Sequence, residues 1–321
     1  MKKICFIATG GTIASSDSGH GFMPSMAAEG LVAAVPQLAE LCQIDFIQLL
    51  QLDSSNLTPA HWQLMAHTVV DNYEDYDGFV ISHGTDTMAY SAAALYYMLE
   101  NIGKPVVFTG AQLPMENPAT DAKGNLLVAF HAAISNHPGV YLAFAQHVIA
   151  GNVAKKMYSQ EFRAFWSINQ TEAAHWDGNQ LTWEWPINQN GGFIPRLELN
   201  DKVMVLKLVP GTNPELLKML TDMGYKGIIL ETFGAGGVPT DESPLSMLPA
   251  IDYAISKGVT LVCTTQCVYD GAHLETYEVG VRAMEHGVIS GKQATVEALT
   301  VKLMLALAET SDPAVIKHLM D

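Results

Sequence analysis

Short runs of consecutive apolar residues recur along this chain, and between them lie longer segments with helical periodicity. Lys3 to Thr9 opens the series, and residues 44–50, 78–82, 105–109 and 139–145 continue it. An unbroken short apolar run suits a strand buried on both faces, and such strands belong to parallel sheets with helices on each side. The intervening segments fit. Thr58-Pro59 opens a helix, with threonine at the N-cap and proline at the first turn, where its missing N–H costs nothing. Behind it Trp62, Met65, Ala66, Val69, Val70 and Tyr73 recur at helical spacing. Helices are also expected over 87–100 and 121–135. Strands alternating with helices predict βαβ units, hence an α/β fold whose larger N-terminal domain holds a parallel sheet of flavodoxin- or Rossmann-like type.

From about 165 to 200 the alternation lapses. Trp166, Trp176, Trp183 and Trp185 lie among Asn, Gln and Gly, and Pro186, Pro195 and Gly191-Gly192 interrupt. Short antiparallel pieces and then a linker are expected there. Alternation resumes with strands at 203–209, 227–231 and 259–264 and helices at 214–223, 244–257, 295–309 and 313–320, a smaller C-terminal α/β domain. The expected division is residues 1–188, a linker over 189–202, and residues 203–321.

Composition excludes several classes. The 321 residues carry 17 Lys+Arg against 33 Asp+Glu, a formal charge of −16, with 49% hydrophobic residues. That apolar content is too high for a disordered chain, and the acidic balance opposes phosphate, so no nucleic-acid partner is expected. No apolar run approaches the roughly 18–20 residues of a membrane helix, so no membrane partner is expected either. Met1-Lys2-Lys3 followed by Ile4 to Ala8 imitates a signal peptide, but the apolar stretch breaks at Thr9-Gly10-Gly11. Four cysteines (Cys5, Cys42, Cys263, Cys267) make no disulfide framework and no CxxC pair, so the expected location is cytoplasmic. Only 16% of residues are charged, against about 25% typically. Surface covered by other subunits would account for this, as would a well-covered monomer.

Ligands of open α/β sheets bind beyond the carboxyl ends of the strands. Here those ends present Thr9-Gly10-Gly11-Thr12-Ile13-Ala14, then Asp53-Ser54-Ser55, then His83-Gly84-Thr85-Asp86-Thr87, then Gly110-Ala111-Gln112. Hydroxyls, a carboxylate and glycines converge on one edge. Each element also has a plainer reading: Gly10-Gly11-Thr12 as a tight turn, Thr85-Asp86-Thr87 as a helix cap, His83 as a packed loop histidine. There is no GxGxxG, no GxxxxGK[ST], no HExxH and no GxSxG. Dinucleotide, P-loop, zinc-protease and ordinary α/β-hydrolase readings therefore lack their signatures, and neither a cofactor nor a metal is expected.

Taken together, ATGGTIAS (8–15), LDSSNLTP (52–59) and ISHGTDTMAYSAAAL (81–95), with FTGAQLP (108–114) and TTQC (264–267), resemble the L-asparaginase/glutaminase family along essentially the whole chain. The resemblance is nearest to its cytoplasmic, type I branch. It implies hydrolysis of L-asparagine to L-aspartate and ammonia through a threonine acyl-enzyme, without a cofactor, by a homodimer or homotetramer. It implies Thr12 as nucleophile, with Thr85, Asp86 and a lysine beside it. Lys155 and Lys156 are the candidates, and the family's Gly-Asn/Thr-x-x-x-Lys run, matched from Gly151-Asn152, selects Lys156. Ser54 and Asp86 would hold the substrate's α-carboxylate and α-ammonium, with Asp53 and Ser55 alongside, and the Ala111 carbonyl would face the leaving amide.

The chemistry demands these types. A threonine hydroxyl attacks only as it loses its proton, so a base must stand near it, and a lysine serves only when neutral. Choosing asparagine over glutamine turns on one methylene, roughly 1–3 kcal/mol. Against the family's pattern, Gly21-Phe22-Met23-Pro24 has phenylalanine where many members have tyrosine, so a loop tyrosine acting as base is not expected. Phe233-Gly234-Ala235-Gly236-Gly237-Val238 has glycine where an asparagine often stands, and Glu231 replaces an arginine used by members that bind asparagine allosterically, so that site is expected to be absent or altered. The rival readings are a relaxed glutaminase-asparaginase, an ammonia-supplying subunit of tRNA-dependent amidation, and a non-catalytic amino-acid sensor on the same fold.

Overall fold

The apolar runs become neighbours in an eight-stranded sheet. The computed structural model describes residues 1–17, 22–24, 26–187 and 191–320, which form two units, Met1–Leu197 and Glu198–Asp321. In the first, strands β1 (Lys3–Gly10), β2 (Gln43–Leu52), β3 (Gly78–Ser82), β4 (Pro105–Thr109) and β5 (Gly139–Phe144) pair in parallel in the order β5-β4-β3-β1-β2. Strands β3 and β4 are buried at every position, as their unbroken apolar runs require. Helices α1 (Pro59–Asp71), α2 (Met88–Met98) and α3 (Ala122–Ala133) make the crossovers. Phe6, Val80 and Val107 from the sheet pack with Leu126 and Phe130 of α3 in one core cluster.

Helix α1 starts where the Thr58-Pro59 pair predicts. The Thr58 N–H donates to His61 Nδ1 at 3.0 Å, so a histidine takes the place that glutamate usually fills at the third helical position. At the other end of the sheet the chain turns back on itself. β6 (His147–Ala150) runs antiparallel to β5, followed by β7 (Ala174–Trp176) and β8 (Leu181–Trp183), the antiparallel pieces expected among the tryptophans. Between β6 and β7 a small hairpin pairs Ala154–Lys156 with Phe165–Ser167. Ile194–Pro195 pairs with Leu99–Glu100, and the Arg196 N–H donates to the Met98 carbonyl. Expectations that fall on Gly21 and on residues 188–190 and 321 lie outside the described residues, as does the side chain of Phe22.

The second unit is a four-stranded parallel sheet in chain order: β9 (Val203–Lys207), β10 (Gly227–Thr232), β11 (Thr260–Thr265) and β12 (Ile289–Ser290). Helices α4 (Glu215–Asp222), α5 (Leu248–Ser256), α6 (Glu278–Glu285), α7 (Val296–Glu309) and α8 (Pro313–Met320) accompany it. Helix α5 begins at Leu248 rather than at 244. Pro249 fits only in a first turn, because further in it would remove a hydrogen bond and clash with the carbonyl four residues back. The fold is thus the α/β architecture expected, a large sheet that is mostly parallel and a separate smaller parallel one.

Candidate active site

Four loops at the carboxyl ends of β1 to β4 are locked together by their glycines. Gly10 and Gly11 have φ of 108° and 83°, a region that side chains disfavour. A Cβ on Gly11 would stand 2.4 Å from the Gly84 nitrogen, and one on Gly10 would stand 2.4 Å from the Leu52 carbonyl. A Cβ on Gly84 would meet Ser54 Oγ at 2.6 Å, and one on Gly110 would meet the His83 carbonyl at 2.4 Å. The Gly11 N–H donates to Leu52 O and the His83 N–H to Thr109 O. So the GGT turn is more than a bend. It brings the half-buried Thr12 next to the loop that carries Thr85, since each threonine directly follows one of two touching glycines.

Thr12 opens a single 3-10 turn, Thr12–Ala14, fixed by Ser15 Oγ donating to the Gly11 carbonyl at 2.9 Å. The turn after β2 is self-contained: the exposed Asp53 carboxylate accepts from the Ser55 N–H at 2.8 Å, and Ser54 is buried. The Thr87 hydroxyl donates to Ser54 O at 2.8 Å, so it ties two loops together instead of capping α2. Ala111 is fully buried.

Lys156 arrives from the hairpin after β6. Its Nζ donates to Thr85 Oγ1 at 2.8 Å and to Asp86 Oδ1 at 2.6 Å. The lysine side chain is 17% exposed, whereas that of Asp86 is 61% exposed and turned to solvent. Of the residues singled out from sequence, Thr85, Asp86 and Lys156 are therefore joined directly, and Ser54 packs on Gly84. Asp53 and Ser55 form their own turn.

His83 is fully buried. Burial pushes its pKa down to about 4, although a 2.7 Å contact with the Gly84 carbonyl works the other way. The ring meets Phe108 edge-on and its Nε2 has no partner among the described residues. A neutral, packed loop histidine is what these features describe.

Three residues at the site carried no role in the sequence reading. Gln112 accepts from the Thr85 hydroxyl at 3.4 Å, while its Nε2 donates to the carbonyls of Glu161 at 3.0 Å and Ser159 at 3.3 Å. Asp121 accepts from the backbone N–H groups of Gln112 and Leu113. Asn125, buried in α3, donates to Gly110 O at 2.9 Å and to Asp121 Oδ2, and accepts from the Ala145 N–H. For two of them a signal was present: Asp121 and Asn125 stand four apart at the start of a mostly apolar helix, where an unsatisfied polar group would be costly.

In the second unit Glu231 faces Lys207, with 3.6 Å between charged atoms, and Phe233 and Gly237 close the glycine-rich turn with paired backbone hydrogen bonds. Among the described residues no three His, Cys, Asp or Glu side chains group as metal ligands, and no helix is long and apolar enough to cross a membrane.

Two α/β units, with hydroxyls, a carboxylate and a lysine gathered near the strand ends of the first, are the frame of an enzyme of the amidohydrolase class. The chain belongs to the asparaginase family: residues 3–189 match the family's asparaginase N-terminal model, and residues 202–320 match the glutaminase/asparaginase C-terminal domain. It is 37% identical to an L-asparaginase of Thermococcus kodakarensis over 99% of this chain and 97% of that one. The solved thermostable L-asparaginase from the same organism superposes with a TM-score of 0.92 at 36% identity, covering 99% of this chain and 96% of that one. The chain is also 33% identical to a glutamyl-tRNA(Gln) amidotransferase subunit of Pyrococcus abyssi, over all of this chain and 75% of that protein.

Proposed function

We propose that this chain is an L-asparagine amidohydrolase working through a threonine acyl-enzyme. The observation that carries it is the chain of contacts Gly11–Gly84 and Thr85–Lys156–Asp86, which collects two threonines, a lysine and a carboxylate at one strand edge. The Thr12 hydroxyl attacks the side-chain amide carbon, its proton passes to the protein and on to the departing nitrogen, and ammonia leaves. Water then cleaves the ester, releasing L-aspartate and restoring Thr12. The Lys156–Thr85 hydrogen bond gives the protons a route. Ser54 receives the substrate's α-carboxylate and the exposed Asp86 its α-ammonium, with Asp53 and Ser55 alongside. The Ala111 carbonyl faces the amide nitrogen. The enzyme is cytoplasmic, which its four free cysteines suit, three of them buried, and it works as a homodimer or homotetramer.

Ammonia release from L-Asn, L-Gln and D-Asn by the wild type and by Thr12→Ala is the test. Preference for L-Asn and a loss of several orders of magnitude in Thr12→Ala support the reading. An inert wild type overturns it, and equal turnover of L-Gln replaces it with a relaxed glutaminase-asparaginase.

A further inference from the structure

Thr85 sits between two side chains of opposite polarity. Lys156 Nζ donates to it at 2.8 Å, so the hydroxyl's own proton points elsewhere. Gln112 Oε1 is the acceptor, and the orientation of the Gln112 amide is not open to reversal. Its nitrogen faces the carbonyls of Ser159 and Glu161, which accept only, so the oxygen must face Thr85. The backbone of Gln112 is fixed in turn by the Asp121 carboxylate. The two carbonyls lie in the loop that closes the hairpin carrying Lys156. A single side chain thus touches both the hydroxyl and the segment that delivers the lysine.

We infer that Gln112 is a positioning residue for the reaction proposed above: it fixes the direction of the Thr85 hydroxyl and ties Thr85 to the Lys156 hairpin. The contact to Oε1, at 3.4 Å, is longer than an ordinary O–H···O bond, so it sets the resting direction of the proton and gives way easily when the proton moves. Two substitutions separate orientation from mere support of the loop. Gln112→Leu removes the acceptor and both donors. Gln112→Glu keeps an oxygen facing Thr85 but loses the donors, and sets a carboxylate against two carbonyls.

The experiment measures kcat and KM for L-Asn together with the melting temperature of each variant. Gln112→Leu is expected to lower kcat about 10- to 100-fold, the scale of a group that aligns a proton transfer, with KM within about threefold. Gln112→Glu is expected to melt lower than Gln112→Leu yet keep more kcat. Wild-type kcat in Gln112→Leu, or kcat that simply follows melting temperature across the two variants, overturns the inference. An inert wild type overturns the reading beneath it, and that is seen before any variant is made.

Discussion

Gly11 and Gly84 touch backbone to backbone, so closely that a β-carbon on Gly11 would lie 2.4 Å from the Gly84 nitrogen and 2.5 Å from its Cα. Gly11 also holds φ at 83°. Neither demand leaves room for a side chain, and the contact sets the spacing between the two threonine loops. Gly11→Ala should therefore lose about 2 kcal/mol or more, from a strained conformation plus the displaced neighbour, and should lose activity out of proportion to stability. Chemical denaturation alongside the ammonia assay checks both. A variant that is stable and fully active would show that the two loops do not need this contact.

Gly84→Ala tests the next link. Its Cβ meets Ser54 Oγ at 2.6 Å and Ser54 Cβ at 2.8 Å, so rotating the hydroxyl is not enough and the turn carrying Ser54 must shift, but the position has no positive φ to strain. The expected result is a smaller stability loss with KM for L-Asn raised more than kcat is lowered, because Ser54 is the proposed carboxylate ligand. A fall in kcat with KM unchanged counts against that role for Ser54.

Asp86 separates function from stability. Its ion pair with Lys156 is short, 2.6 Å, but the carboxylate is 61% exposed, and such pairs contribute no more than about 1 kcal/mol. Asp86→Ala should shift the melting temperature by no more than about 2–3 °C while cutting kcat/KM about 100-fold or more, since it removes both the ammonium ligand and the lysine's partner. If activity survives, the residue belongs to the surface and not to the site.

Much of this arrangement was legible in the sequence, and the reasons differ from element to element. The strands over 78–82 and 105–109 were readable to the residue because both faces are buried, so Phe79 to Ile81 and Val106 to Phe108 run apolar without a break. The return strand His147–Ala150 was hidden because its turn uses Ala145 and Gln146 at φ of 47° and 73°, where a hairpin usually announces itself with Asn-Gly or Gly. In the site, the threonine and carboxylate loops could be read from strand ends. Lys156 lies 70 residues beyond Asp86, on a hairpin with strands only three residues long, and no local pattern links the two. The family resemblance made that connection. Asp121 and Asn125 showed only as polar residues four apart at the start of α3, and Gln112 reaches the Thr85 hydroxyl and the Lys156 hairpin by contacts that no local pattern signals.

His83 makes stability depend on pH. Buried, it has its pKa lowered from 6.5 to about 4, so across that interval the unfolded chain carries a proton that the folded chain does not. Stability therefore rises with pH between about 4 and 6.5 and is lost as pH falls through that window. The slope from this residue is at most about 1.4 kcal/mol per pH unit, for a total near 3 kcal/mol. Urea unfolding at several pH values should show a distinctly flatter profile for His83→Gln than for the wild type. Identical slopes would place the pH dependence elsewhere.

Asn125 offers the sharpest single-atom test, because its two ends serve opposite needs. Nδ2 donates to the Gly110 carbonyl and to Asp121 Oδ2, while Oδ1 accepts from the Ala145 N–H. Asn125→Asp keeps the shape and the second contact but turns a donor into an oxygen facing two acceptors, one of them a carboxylate that already holds the Gln112 and Leu113 N–H groups. With the side chain only 2% exposed, the carboxyl should take up a proton to relieve the repulsion, and the protein should lose about 3 kcal/mol or more at neutral pH. Because the carboxyl is forced to hold a proton that it releases on unfolding, this variant should recover stability relative to wild type as pH falls from 7 toward 5. Denaturation curves at pH 7 and pH 5 measure the difference between the two proteins, and a gap that fails to narrow would show that the Asn125 amide does not hold the 110–113 loop in the way its contacts require.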